Sequence, residues 1–414
     1  MRVPLPGRRL SLLSSLLPSP APSLLPSLAP SLVRRDLAIA SAFTLAHMTC
    51  ACALGRTHRE ILDAYAAGAA PGMLEISGDI PGRSIFFGMV PGELPRIDEK
   101  EFEMRTCRLL LLAVESMRAG FSALVAKYSP ERVAVVLGAS NTGIDEAQSY
   151  VDGWLSAGAD PAAMGMEFSQ IELGTPADYL ARVLGVKGPA YTVSTACSSS
   201  AKAFASARRL IEIGAADAAV VGGVDGRCRF AMNGFHALGA LAQGRCRPLA
   251  PDRDGINLGE GVALFTMERL EDARVDGVVL AGCGESSDAY HATAPDPEGR
   301  GAEAAMRSAL DDAGIGPEDV GYLNLHGTGT QANDEMEMRA VGRVFGPSPR
   351  AKVESTKNLT GHCLGAAGAV EAAICWLLLE IGRVDGAAMS NSFAFGGANA
   401  SVVFAKGGAW AKAL

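Results

Sequence analysis

The sequence has a deficit of positive charge, no paired cysteine motif and no long apolar run. Its net charge of −8 is unfavourable for binding nucleic acid, because phosphate neutralisation needs a local excess of lysine and arginine. Its nine cysteines include no CxxC pair of the kind that binds zinc or forms a redox disulfide. No uninterrupted apolar stretch reaches the roughly 18 residues of a membrane-spanning helix. These absences predict a cytoplasmic protein with no membrane span, no nucleic-acid partner and no metal site.

Length and composition favour a large α/β protein. A chain of 414 residues exceeds the usual size of one hydrophobic core, so two subdomains or one two-lobed domain are expected. The 48 glycines and the 48% hydrophobic content are typical of α/β enzymes with tight turns between strands and helices. The apolar runs 218–223 and 261–267 lack polar alternation, which predicts strands buried on both faces of a sheet. A layered α/β architecture follows.

Residues 1–34 form a tract rich in proline, serine and leucine, whose prolines interrupt any helix. An arginine pair near the start faintly resembles a signal peptide, but prolines break the apolar stretch and no small-residue cleavage site follows. We predict either a disordered leader or a stretch read from a start codon ahead of the true one.

Two segments share one design. Residues 191–214 and 351–382 each contain a short strand, a Ser-Thr turn and a small-residue helix that ends in Glu-Ile-Gly. Another apolar strand follows each segment. Chance or duplication could produce this similarity, and duplication predicts two similar halves, 35–270 and 271–414.

One cysteine lies in a context suited to nucleophilic chemistry. In the segment GPAYTVSTACSSS, Cys197 lies where a predicted strand turns into a helix, with small residues on both sides. The positive end of the helix dipole is expected to lower the pKa of the thiol and so activate it. The alternative is an inert, buried structural cysteine.

Two of the six histidines lie in glycine-rich turns. His326 is in NLHGTGT and His362 is in LTGHCLGAAG. Each turn follows an apolar strand, so both rings are expected to meet in one crevice at the strand ends. Packed or solvated histidines are the alternative.

These segments, together with NSFAFGGAN and TKNLTGHCLGAAGAVE, resemble in order the motifs of the elongating β-ketoacyl-acyl-carrier-protein synthases. The likeness extends over about residues 37–404. It implies a thiolase-like, layered α/β/α/β/α fold built from two similar halves. It also implies a decarboxylative Claisen condensation of an acyl thioester with malonyl-ACP, in fatty-acid or polyketide-type synthesis. No cofactor is implied other than the phosphopantetheine of the acyl carrier protein.

The resemblance also assigns roles to residues. Cys197 would accept the acyl chain, and His326 and His362 would act on the malonyl thioester. Two neutral imidazole N–H groups suit this task, because the enolate oxygen needs preorganised donors more than a strong base. Lys357 and Glu371 would form a buried ion pair that holds His362 and its loop.

The same resemblance points to the loop that closes the site. Phe395 would be the gating side chain, and its backbone N–H, with that of Cys197, would form the oxyanion hole. Gly396 would give the gate its flexibility, and Phe393 would line the substrate pocket. Thr328 and Thr330 would bind the pantetheine arm, or serve only the local backbone.

Departures from the family pattern favour a branch outside housekeeping elongation. Gln331, Asn333 and Ala394 replace residues that are commonly Pro, Gly and Gly. They suggest aryl polyene or polyketide-type chains, and Ala394 is expected to stiffen the gate. A bound monovalent cation near Asn324 and Glu371 is also compatible with the resemblance.

Partners and rival functions complete these expectations. The resemblance implies an acyl carrier protein and either a homodimer or a heterodimer with a related synthase subunit. One rival is a non-catalytic partner of the chain-length-factor kind. The other is a thiolase-like acyltransferase or cysteine hydrolase, favoured only by Cys363 beside His362. The candidate docking cations for the acidic carrier form two groups: Arg227, Arg229, Arg245 and Arg247, and Lys100, Arg105 and Arg108.

Overall fold

The computed structural model describes residues 42–157, 167–270 and 277–408. The proposed leader 1–34 and the start of the second half at 271 lie outside these ranges. The strands are β1 Phe43–Thr44, β2 Met48–Ala51, β3 Met73–Ile80, β4 Arg83–Gly88, β5 Val133–Gly138, β6 Ala190–Val193, β7 Ala218–Asp225, β8 Leu258–Gly259, β9 Gly261–Arg269, β10 Val278–Ser287, β11 Val320–Asn324, β12 Lys352–Glu354, β13 Ala387–Phe393 and β14 Ala398–Lys406.

The helices alternate with these strands, as the sequence pattern predicts. They are α1 His58–Ala66, α2 Arg105–Tyr128, α3 Ile144–Ala157, α4 Thr175–Leu184, α5 Ser199–Glu212, α6 Arg229–Ala237, α7 Arg300–Ala313, α8 Gln331–Phe345, α9 Lys357–Thr360 and α10 Ala367–Glu380. Several short 3₁₀ turns connect them.

The main sheet repeats one pairing pattern on either side of its centre. From one edge, β6, β5 and β7 run parallel, and β9 and then β2 follow antiparallel. From the other edge, β12, β11 and β13 run parallel, and β14 and then β10 follow antiparallel. Strand β1 joins the two sets by pairing with both β9 and β10. The two repeated segments of the sequence therefore occupy equivalent positions at β6 and β12, and the prediction of two similar halves is confirmed in this pattern.

Three helical layers enclose the two sets of strands. Helices α2 and α4 pack on the first set, and α7 and α8 pack on the second. Helices α5 and α10 lie between the sets and share one core cluster with both. Helix α10 is buried from Ala367 to Leu379 because its middle position leaves no solvent-facing side. The result is the predicted α/β/α/β/α layering.

One helix has the length and composition of a membrane span. Within the described ranges, α2 is long and apolar enough to pass that test. Its Leu109, Leu110, Val114 and Phe121 are nevertheless buried against the strands and α4. This packing is that of a core helix.

Candidate active site

Cys197 lies in a sharp turn between β6 and α5. The backbone of Ala196 has φ 53°, a left-handed conformation that is strained for a residue with a side chain. The hydroxyl of Ser199 accepts a hydrogen bond from the backbone N–H of Thr195 at 2.9 Å and donates to the carbonyl of Ala196 at 2.6 Å. These bonds hold the turn, and Cys197 remains only 6% exposed.

His326 follows β11 in a turn held by a buried carboxylate. The backbone N–H groups of His326 and Gly327 donate to Glu337 at 2.8 and 2.7 Å. Burial raises the pKa of Glu337 to about 7. We did not predict this residue, although the sequence offers a signal: it is an acid on the buried face of α8, beside Ala340 and Val341.

His362 is positioned by a backbone contact and points at the nucleophile. Its backbone N–H donates to the backbone carbonyl of Asn257 at 2.7 Å. Its Nε2 lies 2.9 Å from the sulfur of Cys197, and its ring centroid lies 5.2 Å from that of His326. The structure therefore brings together the three residues that the sequence singled out, and one ligand atom from each lies within 4.8 Å of the others.

Both histidines are buried in surroundings that keep them neutral. Burial is the main cause that holds the pKa of His326 and of His362 well below its ordinary value, and the ammonium of Lys357 lowers both further. Each ring is therefore neutral at physiological pH and can present an N–H group, as the mechanism implied by the resemblance requires.

Lys357 contacts His326, whereas the sequence reasoning assigned it to His362. Its ammonium lies 3.5 Å from Nδ1 of His326 and pairs with Glu371. An ammonium can only donate, so Nδ1 accepts and the ring proton resides on Nε2. Desolvation outweighs this pairing and raises the pKa of Glu371 to about 7. A cation so close to one imidazole opposes a metal ion among Cys197, His326 and His362, although their spacing would suit one.

The thiol of Cys197 is not a resting thiolate. Burial raises its pKa to about 12, although Lys357 and the backbone N–H of Phe395 lower it. The expectation that the helix dipole gives a low pKa is therefore wrong, because desolvation of the charged form dominates in this closed turn. The Nε2 of His362, 2.9 Å from the sulfur, is placed where it can accept the thiol proton.

A largely apolar cavity of about 220 Å³ opens onto these residues. Lys357 and Glu371 do not line it, since they lie behind His326. Gly396 is also outside the lining, and its N–H donates to the carbonyl of Ala292 at 2.8 Å. The predicted site residues that do line the cavity are Cys197, His326, His362, Thr328, Thr330, Phe393 and Phe395.

Phe395 lies at the mouth of this cavity. Its side chain is 37% exposed, and its ring centroid lies 5.7 Å from that of Phe235 on α6. Gly396 and Gly397, at φ 81° and 74°, take left-handed conformations that glycine adopts freely. Phe235 was not predicted, because nothing in the sequence marks α6 as facing the gate.

The threonines serve the local backbone as well as lining the cavity. Thr330 caps α8, where its hydroxyl accepts from the N–H of Asn333, and it lies 3.0 Å from the hydroxyl of Thr328. The side chain of Asn333 donates to Glu337 at 3.4 Å. One departure from the family pattern therefore touches the carboxylate that holds the His326 turn.

Nine buried side-chain oxygens have no hydrogen-bond partner within the described ranges, and four of them are on β11, β13 and α10: Asn324 Oδ1, Glu371 Oε2, Ser390 Oγ and Ser392 Oγ. Asn324 and Ser390 are register partners on adjacent strands, and Ser392 is two residues further along the same face. Oxygen donors of this kind suit a hard cation.

Cys363 does not take part in the catalytic cluster. Its sulfur contacts the carbonyl oxygens of Glu260, Thr360 and Gly361 at 3.4 to 3.8 Å. Burial raises its pKa well above the ordinary value. The feature that favoured a thiolase-like enzyme is thus an inert buried thiol.

The candidate docking cations are mostly engaged within the chain. Arg245 is exposed and donates to the backbone carbonyl of Asn358. The other six form ion pairs with carboxylates: Lys100 with Glu167, Arg105 with Glu260, Arg108 with Glu103, Arg227 with Asp79, Arg229 with Asp145, and Arg247 with Asp252. Because their charges are neutralised in this way, they make a weak electrostatic patch.

Comparisons with known proteins agree with this geometry. The family models "Beta-ketoacyl synthase, N-terminal domain" and "Beta-ketoacyl synthase, C-terminal domain" match residues 83–273 and 278–387. Nodulation protein E of Rhizobium leguminosarum bv. trifolii is 35% identical over 349 residues, which are 75% of this chain and 84% of that protein. The 3-oxoacyl-[acyl-carrier-protein] synthase 2 of Staphylococcus aureus strain COL is 38% identical over 260 residues, which are 54% of this chain and 63% of that protein.

Solved structures give the same result. A ketosynthase (ApeO) in complex with its chain length factor (ApeC), from Xenorhabdus doucetiae, matches with a TM-score of 0.82 at 40% identity, covering 88% of this chain and 98% of that one. The ishigamide ketosynthase/chain length factor matches with a TM-score of 0.78 at 27% identity, covering 88% of this chain and 99% of that one.

Fold and site together define an acyl-transferring condensing enzyme of the thiolase-like class. Within that class, the chain belongs to the β-ketoacyl synthase family.

Proposed function

We propose that this chain is a catalytic β-ketoacyl-ACP synthase subunit, in which Cys197, His326 and His362 carry out the reaction. The observation that carries the proposal is the 2.9 Å contact between the sulfur of Cys197 and Nε2 of His362, with a second neutral imidazole beside them. A non-catalytic partner of the chain-length-factor kind has no use for such a nucleophile, so the catalytic role is favoured.

The first half-reaction loads the acyl chain. Cys197 gives its proton to His362 and attacks the carbonyl of the acyl-ACP thioester. The backbone N–H groups of Cys197 and Phe395 stabilise the oxyanion. The carbon–sulfur bond to the carrier then breaks, and the pantetheine thiolate leaves with the proton from His362.

The second half-reaction forms the new carbon–carbon bond. Once Cys197 is acylated it no longer needs a proton acceptor, and His362 takes the tautomer with its proton on Nε2. Malonyl-ACP then loses CO2, and the enolate oxygen accepts hydrogen bonds from Nε2–H of His326 and of His362. The enolate carbon attacks the Cys197 thioester, the carbon–sulfur bond to Cys197 breaks, and the departing thiolate takes up one proton from solvent. Loss of CO2 makes the sequence effectively irreversible.

The remaining site residues support these steps. Lys357 and Glu371 fix the tautomer of His326, and Phe395 with Gly396 acts as the gate. Phe393 packs beside His326, with their ring centroids 6.3 Å apart, and fills the wall of the pocket. Thr328 and Thr330, which line the cavity, bind the pantetheine arm.

The pathway and the partner follow from similarity. The ApeO relative is described as a ketosynthase with a chain length factor. We propose that this chain likewise forms a heterodimer with a related subunit, works in the cytoplasm with an acyl carrier protein, and assembles aryl polyene or polyketide-type chains. We further propose that the four unpartnered oxygens on β11, β13 and α10 bind a monovalent cation that supports Glu371.

The test is intact mass spectrometry after mixing the chain with acyl-ACPs, followed by malonyl-ACP and measurement of CO2. An acyl adduct that Cys197→Ala abolishes, followed by malonyl-dependent CO2 release, is expected. Cys283→Ala, which removes a thiol from β10 remote from the site, should keep the adduct. Absence of any adduct, with or without a partner subunit, would refute the catalytic role. Cleavage of acyl-CoA by free CoA without malonate would favour the thiolase-like alternative.

A further inference from the structure

Asp225 is a buried carboxylate that the mechanism above does not use. It ends β7 with no exposed surface. Its oxygens accept from the N–H groups of Ser140, Asn141 and Gly365 at 2.9, 2.8 and 2.6 Å, and from the hydroxyl of Ser140 at 2.7 Å. These donors are neutral, and no Lys or Arg in the described ranges forms an ion pair with it. Burying a charge on neutral donors is costly, so the arrangement calls for a role.

The carboxylate joins two turns that are both strained. Thr142, after β5, and Leu364, after His362, each have φ 48°, which is unfavourable for residues with side chains. The turns touch at Gly365, where a Cβ would lie 2.7 Å from Asp225 Oδ2. The hydrogen bonds to Asp225 therefore hold conformations that the chain would not keep alone.

A short stretch of chain links the hydrogen bonds of Asp225 to the contact between His362 and Cys197. The segment from His362 to Gly365 is fixed at its first residue by Asn257 and at its last by Asp225. The direction of the His362 ring depends on both anchors. The negative charge of Asp225 also acts on Cys197, where it disfavours the thiolate.

We propose that Asp225 is a positioning residue: its ionised carboxylate ties the turn after His362 to the turn after β5 and so sets the distance between His362 and Cys197. The effect on condensation rests on the proposed function. The effect on the environment of the thiol does not.

The test compares the wild-type chain with Asp225→Asn. The amide removes the charge. It places an N–H₂ group either against the N–H of Gly365 and the hydroxyl of Ser140, or against the N–H groups of Ser140 and Asn141. Condensation is expected to fall about 100-fold, as for a misplaced catalytic group. The pH at which iodoacetamide alkylates Cys197 half-maximally is expected to fall, because a repelling charge has gone. A merely structural role would lower activity without this shift.

Matched variants keep the test decisive. Asp217→Asn, one residue before the start of β7 and paired with Arg132 at the surface, should leave both readouts unchanged. Asp225→Glu should restore the alkylation profile. If Asp225→Asn fails to fold, Ser140→Ala removes one donor, and the acid limb of condensation should move to higher pH. Unchanged condensation and alkylation in Asp225→Asn, or an unmoved acid limb in Ser140→Ala, would overturn the proposal. If the wild-type chain does not condense at all, the proposed function fails while the alkylation shift still decides the role of Asp225.

Discussion

Glu337 and Lys357 approach His326 from different sides, one through its backbone and the other through its ring. Glu337 accepts from two successive N–H groups of the turn, and Lys357 faces Nδ1. Both are charged residues buried at 1% exposure or less. The orientation and tautomer of one imidazole thus depend on two costly buried groups.

Replacing Glu337 by Gln should separate the two half-reactions. One backbone N–H of the turn would face an amide N–H₂, and His326 would shift. Because the proposed mechanism has His326 act on the malonyl group, we expect CO2 release to fall about 10- to 100-fold, while acylation of Cys197 is retained. Intact mass and CO2 assays measure the two steps. The control is Glu335→Gln, an exposed position two residues earlier on α8, and equal loss of both steps in Glu337→Gln would contradict this assignment.

Removing one member of the buried ion pair should destabilise the whole chain. In Lys357→Met, the carboxylate of Glu371 loses its partner, and the free energy of unfolding should fall by about 3–5 kcal/mol. The double variant Lys357→Met with Glu371→Gln should recover part of that loss. Urea unfolding measures both. A double variant less stable than the sum of the single changes would show that the pair is not an isolated unit.

The sequence was sufficient for the three residues whose chemistry is visible in their local context. Cys197, His326 and His362 lie in turns of small residues, and that signal is local. Glu337 and Asp225 could not be found in the same way, because their partners are backbone groups brought together only by the sheet. The direction of the thiol pKa was wrong for a related reason: burial is a property of the fold, not of the turn.

At the scale of elements, the gate turn between β13 and β14 combines two glycines with one stiffer residue. Ala394 has φ −108° and ψ 157°, an extended conformation that alanine adopts without strain. A methyl group at this position therefore does not strain the turn in this conformation. It restricts the other conformations that the turn would visit when opening.

Ala394→Gly should therefore open the gate more often. The difference in backbone freedom is about 0.5–1 kcal/mol, so a bulky maleimide should alkylate Cys197 a few times faster. A small reagent such as iodoacetamide serves as the internal control, because it needs less opening. Equal acceleration of both reagents would point to a change in the thiol instead of the gate.

The element pattern was the part of the fold most accessible from sequence. Repeated segments with the same strand, turn and helix predicted the equivalence of β6 with β12. The pairing through β1 was not predicted, because a strand of two residues leaves no periodic signal. The small sheet of β3, β4 and β8 was missed as well, since its pairing of β4 with β8 joins distant parts of the chain.

At the scale of the whole molecule, the buried carboxyl group of Glu337 makes the stability of the chain depend on pH. The raised pKa of Glu337 means that the folded chain holds a proton there more tightly than the unfolded chain does. Its contribution to stability is greatest at low pH and falls as pH rises through about 7. The cost of holding Glu337 in its site thus increases between its ordinary pKa of 4.5 and about pH 7, and is constant above that.

The stability of Glu337→Gln relative to the wild type should therefore rise with pH. Between pH 5 and pH 8 the difference in unfolding free energy should change by about 1–3 kcal/mol in favour of the variant. His326 and His362, whose lowered pKa makes stability fall as pH drops below their ordinary range, are present in both proteins and cancel in the comparison. Denaturant unfolding of both proteins at several pH values measures the difference in unfolding free energy. A difference independent of pH would mean that Glu337 titrates normally.

The mirrored strand pattern has a consequence for how the chemistry is divided. The turn after β6 carries the thiol of Cys197, and the turns after β11 and β12 carry the imidazoles of His326 and His362. Neither half contains the thiol and the two imidazoles together. These groups meet only where the middle helices α5 and α10 pack against each other. If the two halves are compared with a pair of covalently joined subunits, the proposed mechanism assigns the growing product to one of them and the unit to be added to the other.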